Sequence, residues 1–183
     1  MSFGTPDRAK FIRLVNHVAE GGVDIFLFNF AVDGANLRPQ HVKFLDDFFD
    51  DSGPGEANII VFQGMNHSWR ATIVGQTSRS GSASHNFDLS TRRGDSVRNY
   101  LLSPLAPKKP GQKPLPRKIR DVEIVMDSRG ETLAKAATDE AAVDRQVILR
   151  LQERSHPPLP PLGSKLGIRS LDPGSPFPPL FQV

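Results

Sequence analysis

Hydrophobic positions in the first half of the chain follow two different periods. Residues 7–19 carry apolar side chains three and four positions apart, which predicts a short amphipathic helix. Residues 23–32 alternate with apolar side chains on both faces, which predicts a strand inside a sheet. Pro39 suits the first turn of a helix, and an apolar stripe continues that helix to about Asp50. Residues 69–76 predict a second strand.

The second half of the chain repeats these patterns. Apolar residues at helical spacing predict a helix over 89–102, and alternation predicts strands over 119–126 and 144–151. The alanine-rich segment 130–143 predicts a further short helix. Residues 56–64 fit a helical turn and a strand equally well, and the pattern leaves both open.

Proline divides the chain. The 183 residues include 16 prolines, which are concentrated after the second long helix and near the C-terminus. We therefore expect an N-terminal helical segment over 1–22, a domain over 23–151 and a proline-rich disordered tail over 152–183. Within the domain, residues 104–118 predict a basic, extended loop.

The charge and the apolar runs limit the partners and the location. A net charge of +3 permits contact with an anionic polymer, but the basic loop lacks aromatic residues on which bases would stack, which argues against nucleic acid. The segment 157–161 suits docking of a protein partner. No apolar run is long enough to span a bilayer. Without a secretory signal the chain is cytoplasmic as written; export by another route, or an incomplete N-terminus, would place it in the periplasm or cell envelope.

Catalytic and metal-binding patterns are missing from the sequence. The absence of cysteine excludes disulfides, zinc thiolates and thiol nucleophiles. The five histidines have no metal-ligand spacing, and no nucleophile elbow, phosphate-binding loop or paired-carboxylate motif is present. The sequence therefore predicts a protein that is not an enzyme and needs neither a metal nor a cofactor.

One arginine occupies an unusual position. With 100° per residue, Arg93 falls inside the apolar stripe of the helix predicted over 89–102. A guanidinium there must reach solvent or find an anionic or carbonyl partner, because an unpaired buried charge costs several kcal/mol. Two interpretations stay open. Arg93 forms an internal ion pair, for example with Asp88 or Asp144, or it receives the carboxylate of a ligand.

A longer pattern surrounds Arg93 and resembles the OmpA-like, peptidoglycan-associating domain. The strand-loop-helix segment 75–101 matches that family's pattern at ten positions: Gly75, Thr77, Gly81, Asn86, Leu89, Ser90, Arg93, Val97, Tyr100 and Leu101. Residues 28–39 and 144–147 are also similar to the family. The resemblance covers about residues 23–151 and implies an α/β fold, a mixed β-α-β-α-β-β sheet with helices packed on one face.

The resemblance also implies a ligand. In OmpA-like domains a loop aspartate and a helix arginine hold the zwitterionic end of diaminopimelate in the peptidoglycan stem. Arg93 matches that arginine, whereas Ser78 stands where the family has the aspartate. Losing a charge-assisted hydrogen bond would weaken binding roughly tenfold to a hundredfold. Because Arg79 adds positive charge, a pure anion suits this site better than a zwitterion.

The implied binding face combines the loop 77–88 with the helix 89–102. Its candidate residues are Thr77, Ser78, Arg79, Asn86, Leu89 and Arg93. A loop asparagine before a helix commonly caps it or organises a turn, so Asn86 also has a structural interpretation. Two functions follow: a non-catalytic module that binds peptidoglycan or a related anionic wall ligand, or a diverged scaffold that has lost wall binding and contacts a protein partner.

Overall fold

A computed structural model describes residues 10–17, 21–49, 69–104, 122–134, 142–155 and 158–162. Within these ranges, five strands form one mixed sheet and two helices pack on it. The strands are β1 (Ile12–His17), β2 (Gly22–Leu27), β3 (Trp69–Gln76), β4 (Glu123–Ser128) and β5 (Gln146–Glu153), and the helices are α1 (Pro39–Phe49) and α2 (Ala83–Leu102). The predicted α/β mixed sheet is confirmed, with one additional strand at its N-terminal end.

The spatial order of the strands differs from their order in the chain. The sheet runs β1-β2-β5-β3-β4; β3 and β4 are parallel, and every other neighbouring pair is antiparallel. The last described strand, β5, therefore lies at the centre. Its apolar residues Val147, Leu149 and Leu151 are buried, as the alternating pattern predicted.

The N-terminal segment is a strand, so the helix predicted over 7–19 is wrong. Short apolar runs fit both periods, and here the tertiary partner decides. In β1, Ile12 and Leu14 pair with Leu27 and Ile25 of β2 and join the same core. The pairing gives the backbone of β1 hydrogen bonds and a packed face, whereas an isolated helix of the predicted length is only marginally stable.

Strand β2 ends five residues before the predicted boundary at residue 32. Asn29 adopts φ 61°, a left-handed conformation that asparagine tolerates better than most residues and that a strand cannot contain. Alternation stops there, and Phe30 turns into the core beside His41, with 4.8 Å between the ring centroids. Residues 28–34, which we call the carbonyl loop, carry the chain from β2 towards α1.

Both helices lie on one face of the sheet. Phe44, Leu45 and Phe48 of α1 join a core cluster with inward residues of the strands, and Val97 and Leu101 of α2 join the same cluster. Gly75 of β3 permits the close approach of α2, because a Cβ built there would lie 1.9 Å from the carbonyl oxygen of Ser90. The predicted bounds of α1 are confirmed to within one residue.

Helix α2 starts six residues before the predicted position. Ser82 caps it, and its hydroxyl accepts a hydrogen bond from the backbone N–H of His85 at 3.3 Å. The loop that follows β3 therefore comprises residues 77–82 rather than 77–88. Asn86 does not cap the helix; it lies in the first turns of α2.

Other predicted elements are shifted or lie outside the described residues. Strands β4 and β5 begin two to four residues later than predicted. Residues 130–133 form a turn, and most of the helix predicted over 130–143 lies outside the described ranges, as do 56–64 and nearly all of the basic loop. Part of the predicted tail packs: Leu159 is buried, and its N–H donates to Gln152 at 3.4 Å.

Candidate functional site

Arg93 is fully buried at the centre of the candidate site. Each of its three nitrogens donates to a backbone carbonyl: Nε to Gly34 at 2.9 Å, Nη2 to Ala31 at 2.9 Å and Nη1 to Gln76 at 3.0 Å. The first two carbonyls belong to the carbonyl loop and the third to the end of β3. The predicted position inside the apolar stripe of α2 is confirmed.

No acid pairs with this guanidinium among the described residues, so the ion pair considered for Asp88 or Asp144 is wrong. The pKa of Arg93 is lowered to about 10, mainly by burial and also by the charge of Arg145, against an opposing effect of Asp33. The group keeps its positive charge near neutral pH. It is a buried cation whose neighbours are neutral carbonyl oxygens.

The carbonyl loop is held by basic side chains along its length. Besides Arg93, three other basic residues donate to its carbonyls: His41 to Phe28 at 2.7 Å, Arg38 to Asn29 at 3.3 Å and Arg145 to Phe30 at 2.8 Å. Arg38, His41 and Arg145 were not among the residues predicted for the site. No sequence pattern indicates these contacts, because Arg145 and Phe30 are 115 residues apart and the acceptors are backbone atoms.

The tip of the carbonyl loop also contacts the start of α2. Asp33 adopts φ 53° and places its Oδ1 2.8 Å from Nε2 of His85. Both side chains are largely exposed. His85 therefore has an acidic partner on the loop, and no serine–histidine pair forms around it within the described residues.

Thr77 and Ser78 follow β3 directly and are buried. The N–H of Thr77 donates to Gly130 at 2.8 Å, whereas its Oγ1 is buried without a hydrogen-bond partner. The hydroxyl of Ser78 lies 3.1 Å from that of Ser80. Ser78 thus contributes a neutral hydroxyl and no charge to this loop.

The remaining candidate residues, Arg79, Asn86 and Leu89, make their contacts with parts of the protein other than Arg93. Arg79 is exposed and donates to the carbonyl of Ala134 at 3.2 Å. Asn86 is buried and donates through Nδ2 to the carboxylate of Glu131, which ties α2 to the turn after β4. Leu89 is buried in α2. Asn86 and Leu89 therefore have structural contacts of their own, and the contact of Asn86 with Glu131 differs from the cap expected for it.

Two further polar side chains lie at the same end of the sheet. Gln76 and Gln146 pair across β3 and β5, and Gln146 Nε2 donates to Gln76 Oε1 at 3.0 Å. The other amide atoms, Gln76 Nε2 and Gln146 Oε1, are buried and make no hydrogen bond with described residues. Buried polar atoms without partners are rare, and together with Thr77 they mark this edge as a polar region inside an apolar fold.

Neither a metal cluster nor a membrane-spanning helix occurs in the described part of the chain. No three histidine or acidic side chains there are arranged to hold a metal ion. No helix there is both long and apolar enough to cross a bilayer.

No protein-family model matches the sequence, and no curated protein matches it. Several solved structures are similar to this chain. The chain is similar to the OmpA-like domain of FopA1 from Francisella tularensis, with 18% identity, a TM-score of 0.47 and coverage of 76% of this chain and 77% of that one.

Two other solved structures show a comparable likeness. The peptidoglycan-associated lipoprotein from Burkholderia pseudomallei is 17% identical, with a TM-score of 0.45 and coverage of 76% and 90% of the two chains. The periplasmic domain of MotB from Helicobacter pylori is 12% identical, with a TM-score of 0.44 and coverage of 76% and 86%. None of these similarities assigns a ligand or a residue role to this chain.

Proposed function

We propose that this protein is a non-catalytic binding module for the peptide stem of peptidoglycan or a related anionic wall ligand. The ligand binds where loop 77–82, the start of α2 and the carbonyl loop meet, and Arg93 takes its carboxylate. Thr77, Ser78 and Arg79 are the nearby polar residues of the proposal, with Asn86 and Leu89 shaping the helix face. A wall ligand requires the periplasm or cell envelope as the location.

The buried charge of Arg93 is the observation that carries the proposal. A buried guanidinium is costly inside a protein, and the neutral carbonyls, the Phe30 ring and the charge of Asp33 compensate it only in part. A ligand carboxylate would supply the missing negative charge through a two-point contact with the planar fork.

The surrounding groups favour an anion over a zwitterion. Ser78 offers no charge for a ligand ammonium, and Arg79 adds a positive charge at the rim. The unpaired Oγ1 of Thr77 adds a hydroxyl able to donate to an acceptor. We therefore expect the site to prefer the carboxylate of the stem and to tolerate loss of its amine.

The alternative is a scaffold that has kept the fold and lost wall binding. The three carbonyls already bonded to Arg93 and the neutral Ser78 favour this alternative. A scaffold would contact a protein partner through the basic loop or the proline-rich tail, which lie mostly outside the described residues. The same experiment separates the two functions.

Sedimentation with purified sacculi tests the module. We expect saturable binding that Arg93→Lys weakens at least about tenfold, because lysine keeps the charge but cannot make the planar two-point contact. The matched control is Arg92→Lys on the exposed side of the same helix, which should bind like the parent protein. Circular dichroism of each variant separates lost binding from lost folding.

The substitution Ser78→Asp tests the role of the missing charge. It restores an acid opposite the ligand amine and should strengthen sacculus binding roughly tenfold to a hundredfold. If the parent protein does not sediment with sacculi and only Ser78→Asp does, the scaffold function is correct. If neither sediments, peptidoglycan is not the ligand of this fold.

A further inference from the structure

The guanidinium of Arg93 is held from two sides. From β3, the carbonyl of Gln76 accepts from Nη1. From the carbonyl loop, Gly34 and Ala31 accept from Nε and Nη2, which form the side-on fork of the group. That fork is the part of an arginine that binds the two oxygens of a carboxylate. Two peptide carbonyls thus occupy the positions that carboxylate oxygens would take.

We propose that residues 31–34, the tip of the carbonyl loop, form a lid that closes the Arg93 site from inside and competes with the ligand carboxylate. The identity of the competing ligand rests on the proposed function; the lid itself does not. Opening removes the carbonyls of Ala31 and Gly34 from the fork and leaves Arg93 anchored to Gln76.

The boundaries of the lid follow from burial. Phe30 is fully buried and its carbonyl accepts from Arg145, so the root of the loop is fixed. Beyond Phe30, Val32 and Asp33 are exposed. The Gly34 N–H donates to Ala31 at 3.1 Å, so the tip is a compact turn that is able to move as a unit.

A ligand has an energetic advantage over the lid. A carboxylate carries a negative charge that the peptide carbonyls of the lid lack, so it attracts the guanidinium of Arg93 more strongly than they do. The lid belongs to the same molecule and is therefore always close to Arg93. The ligand binds only the open form. Its apparent affinity is therefore its affinity for the open site multiplied by the fraction of the protein that is open.

One exposed contact latches the lid to α2. Asp33 and His85 are 2.8 Å apart and largely exposed, and exposed ion pairs contribute little to stability. The latch is thus weak enough to break on ligand binding. Asp33 has φ 53°, a conformation that costs some strain outside glycine and that an open lid would release.

Labelling of arginine with phenylglyoxal tests the lid without any ligand. Mass spectrometry reports the modification rate at Arg93, with the exposed Arg98 of the same helix as internal reference. We expect slow modification of Arg93 in the parent protein and about a threefold to fivefold increase in His85→Ala, with Arg98 unchanged. The matched control is Lys43→Ala, which removes an exposed ion pair on α1 and should change neither rate.

A crosslink provides the opposite perturbation. The chain has no cysteine, so Asp33→Cys combined with His85→Cys gives one defined pair for a short bis-maleimide. Crosslinking should slow labelling of Arg93 below the parent rate and weaken sacculus binding about tenfold relative to the same protein before crosslinking.

The outcomes separate the lid from the proposed function. A labelling rate of Arg93 that rises in His85→Ala and falls on crosslinking supports the lid. If the rates behave in this way but no form of the protein binds sacculi, the lid stands and the proposed ligand is wrong. Labelling of Arg93 that is unchanged by both, or that occurs only in step with global unfolding in urea, overturns the lid. Sacculus binding that the crosslink leaves unchanged overturns it as well.

Discussion

At the scale of single residues, the basic side chains that hold the carbonyl loop are bonded to backbone carbonyls rather than to acids. His41 shows the pattern most completely. Its Nε2 donates to the carbonyl of Phe28 at 2.7 Å, and its Nδ1 lies 3.2 Å from the N–H of Arg38, from which it accepts. Both ring nitrogens are used only in the neutral form. The pKa of His41 is lowered to about 4, mainly by burial and in smaller part by the charge of Arg38, against the effect of the Phe28 carbonyl.

This geometry predicts a loss of stability in mild acid. Between pH 6.5 and 4 the unfolded chain binds a proton at His41 that the folded protein does not, so the free energy of unfolding falls as the pH falls. The contribution is about 3 kcal/mol over that range. Urea denaturation of the parent protein and of His41→Gln should show this dependence of the free energy of unfolding on pH in the parent alone. Glutamine still donates to Phe28 but does not titrate. Equal slopes from pH 7 to 4 would contradict it.

Sequence analysis reached the position of Arg93 but not its partners. The helical period places Arg93 among buried residues because the period is a local property of α2. The carbonyls of Ala31 and Gly34 lie about sixty residues away, and any residue type supplies a carbonyl. A search for acidic residues does not find partners of this kind, which explains why the ion pair, one of the two interpretations left open, was wrong.

At the scale of elements, the sequence predicts best where one period is unambiguous. Strand β3 has the predicted bounds because it alternates over eight residues, and α1 has a clear apolar stripe. The six residues of β1 fit a helix and a strand, and only the pairing with β2 decides between them. The start of α2 was placed too late because its first turns, capped by Ser82, carry polar and small residues.

The contact between α2 and the sheet predicts effects of different size for substitution of two glycines. In Gly75→Ala the new Cβ would lie 1.9 Å from the Ser90 carbonyl, a backbone atom that moves only with the helix. We expect a loss of about 3 kcal/mol or more in the free energy of unfolding. In Gly94→Ala the Cβ meets the flexible end of Met126 at 2.8 Å, and alanine favours the helix.

Gly94→Ala is thus the matched control and should change stability by less than about 1 kcal/mol. Urea denaturation of both variants measures the difference. Similar losses in the free energy of unfolding for the two variants would contradict the prediction. They would mean that α2 moves away from β3 as easily as the side chain of Met126 changes rotamer.

At the scale of the whole molecule, one buried acid joins distant parts of the sheet. Asp24 of β2 accepts from Nε and Nη2 of Arg150 at 2.7 and 2.8 Å and contacts His17 of β1 at 3.0 Å. Asp24 and Arg150 are 126 residues apart. The carboxylate therefore links three strands, and two ends of the described chain, on the face opposite α2.

Removing that carboxylate should be costly. In Asp24→Asn the mostly buried Arg150 loses its counter-charge, and we expect a decrease of about 3 kcal/mol in the free energy of unfolding. A cycle with Arg150→Met should show a double variant less destabilised than the sum of the single variants. Glu123→Gln, at an exposed ion pair with Arg70 on the same face, is the control and should lose only a small fraction of that amount. Additive losses in the cycle would exclude the proposed link.

The central place of β5 governs when this protein is able to fold during synthesis. β5 is the last described strand to leave the ribosome, yet β2 and β3 both need it as their hydrogen-bonding neighbour. Until it emerges, the nascent chain carries two unpaired strand edges and an unsealed core, the kind of surface that chaperones recognise. Closure of the sheet therefore waits for the synthesis of β5, and a ribosome that stalls before codon 146 holds a chain whose sheet cannot close.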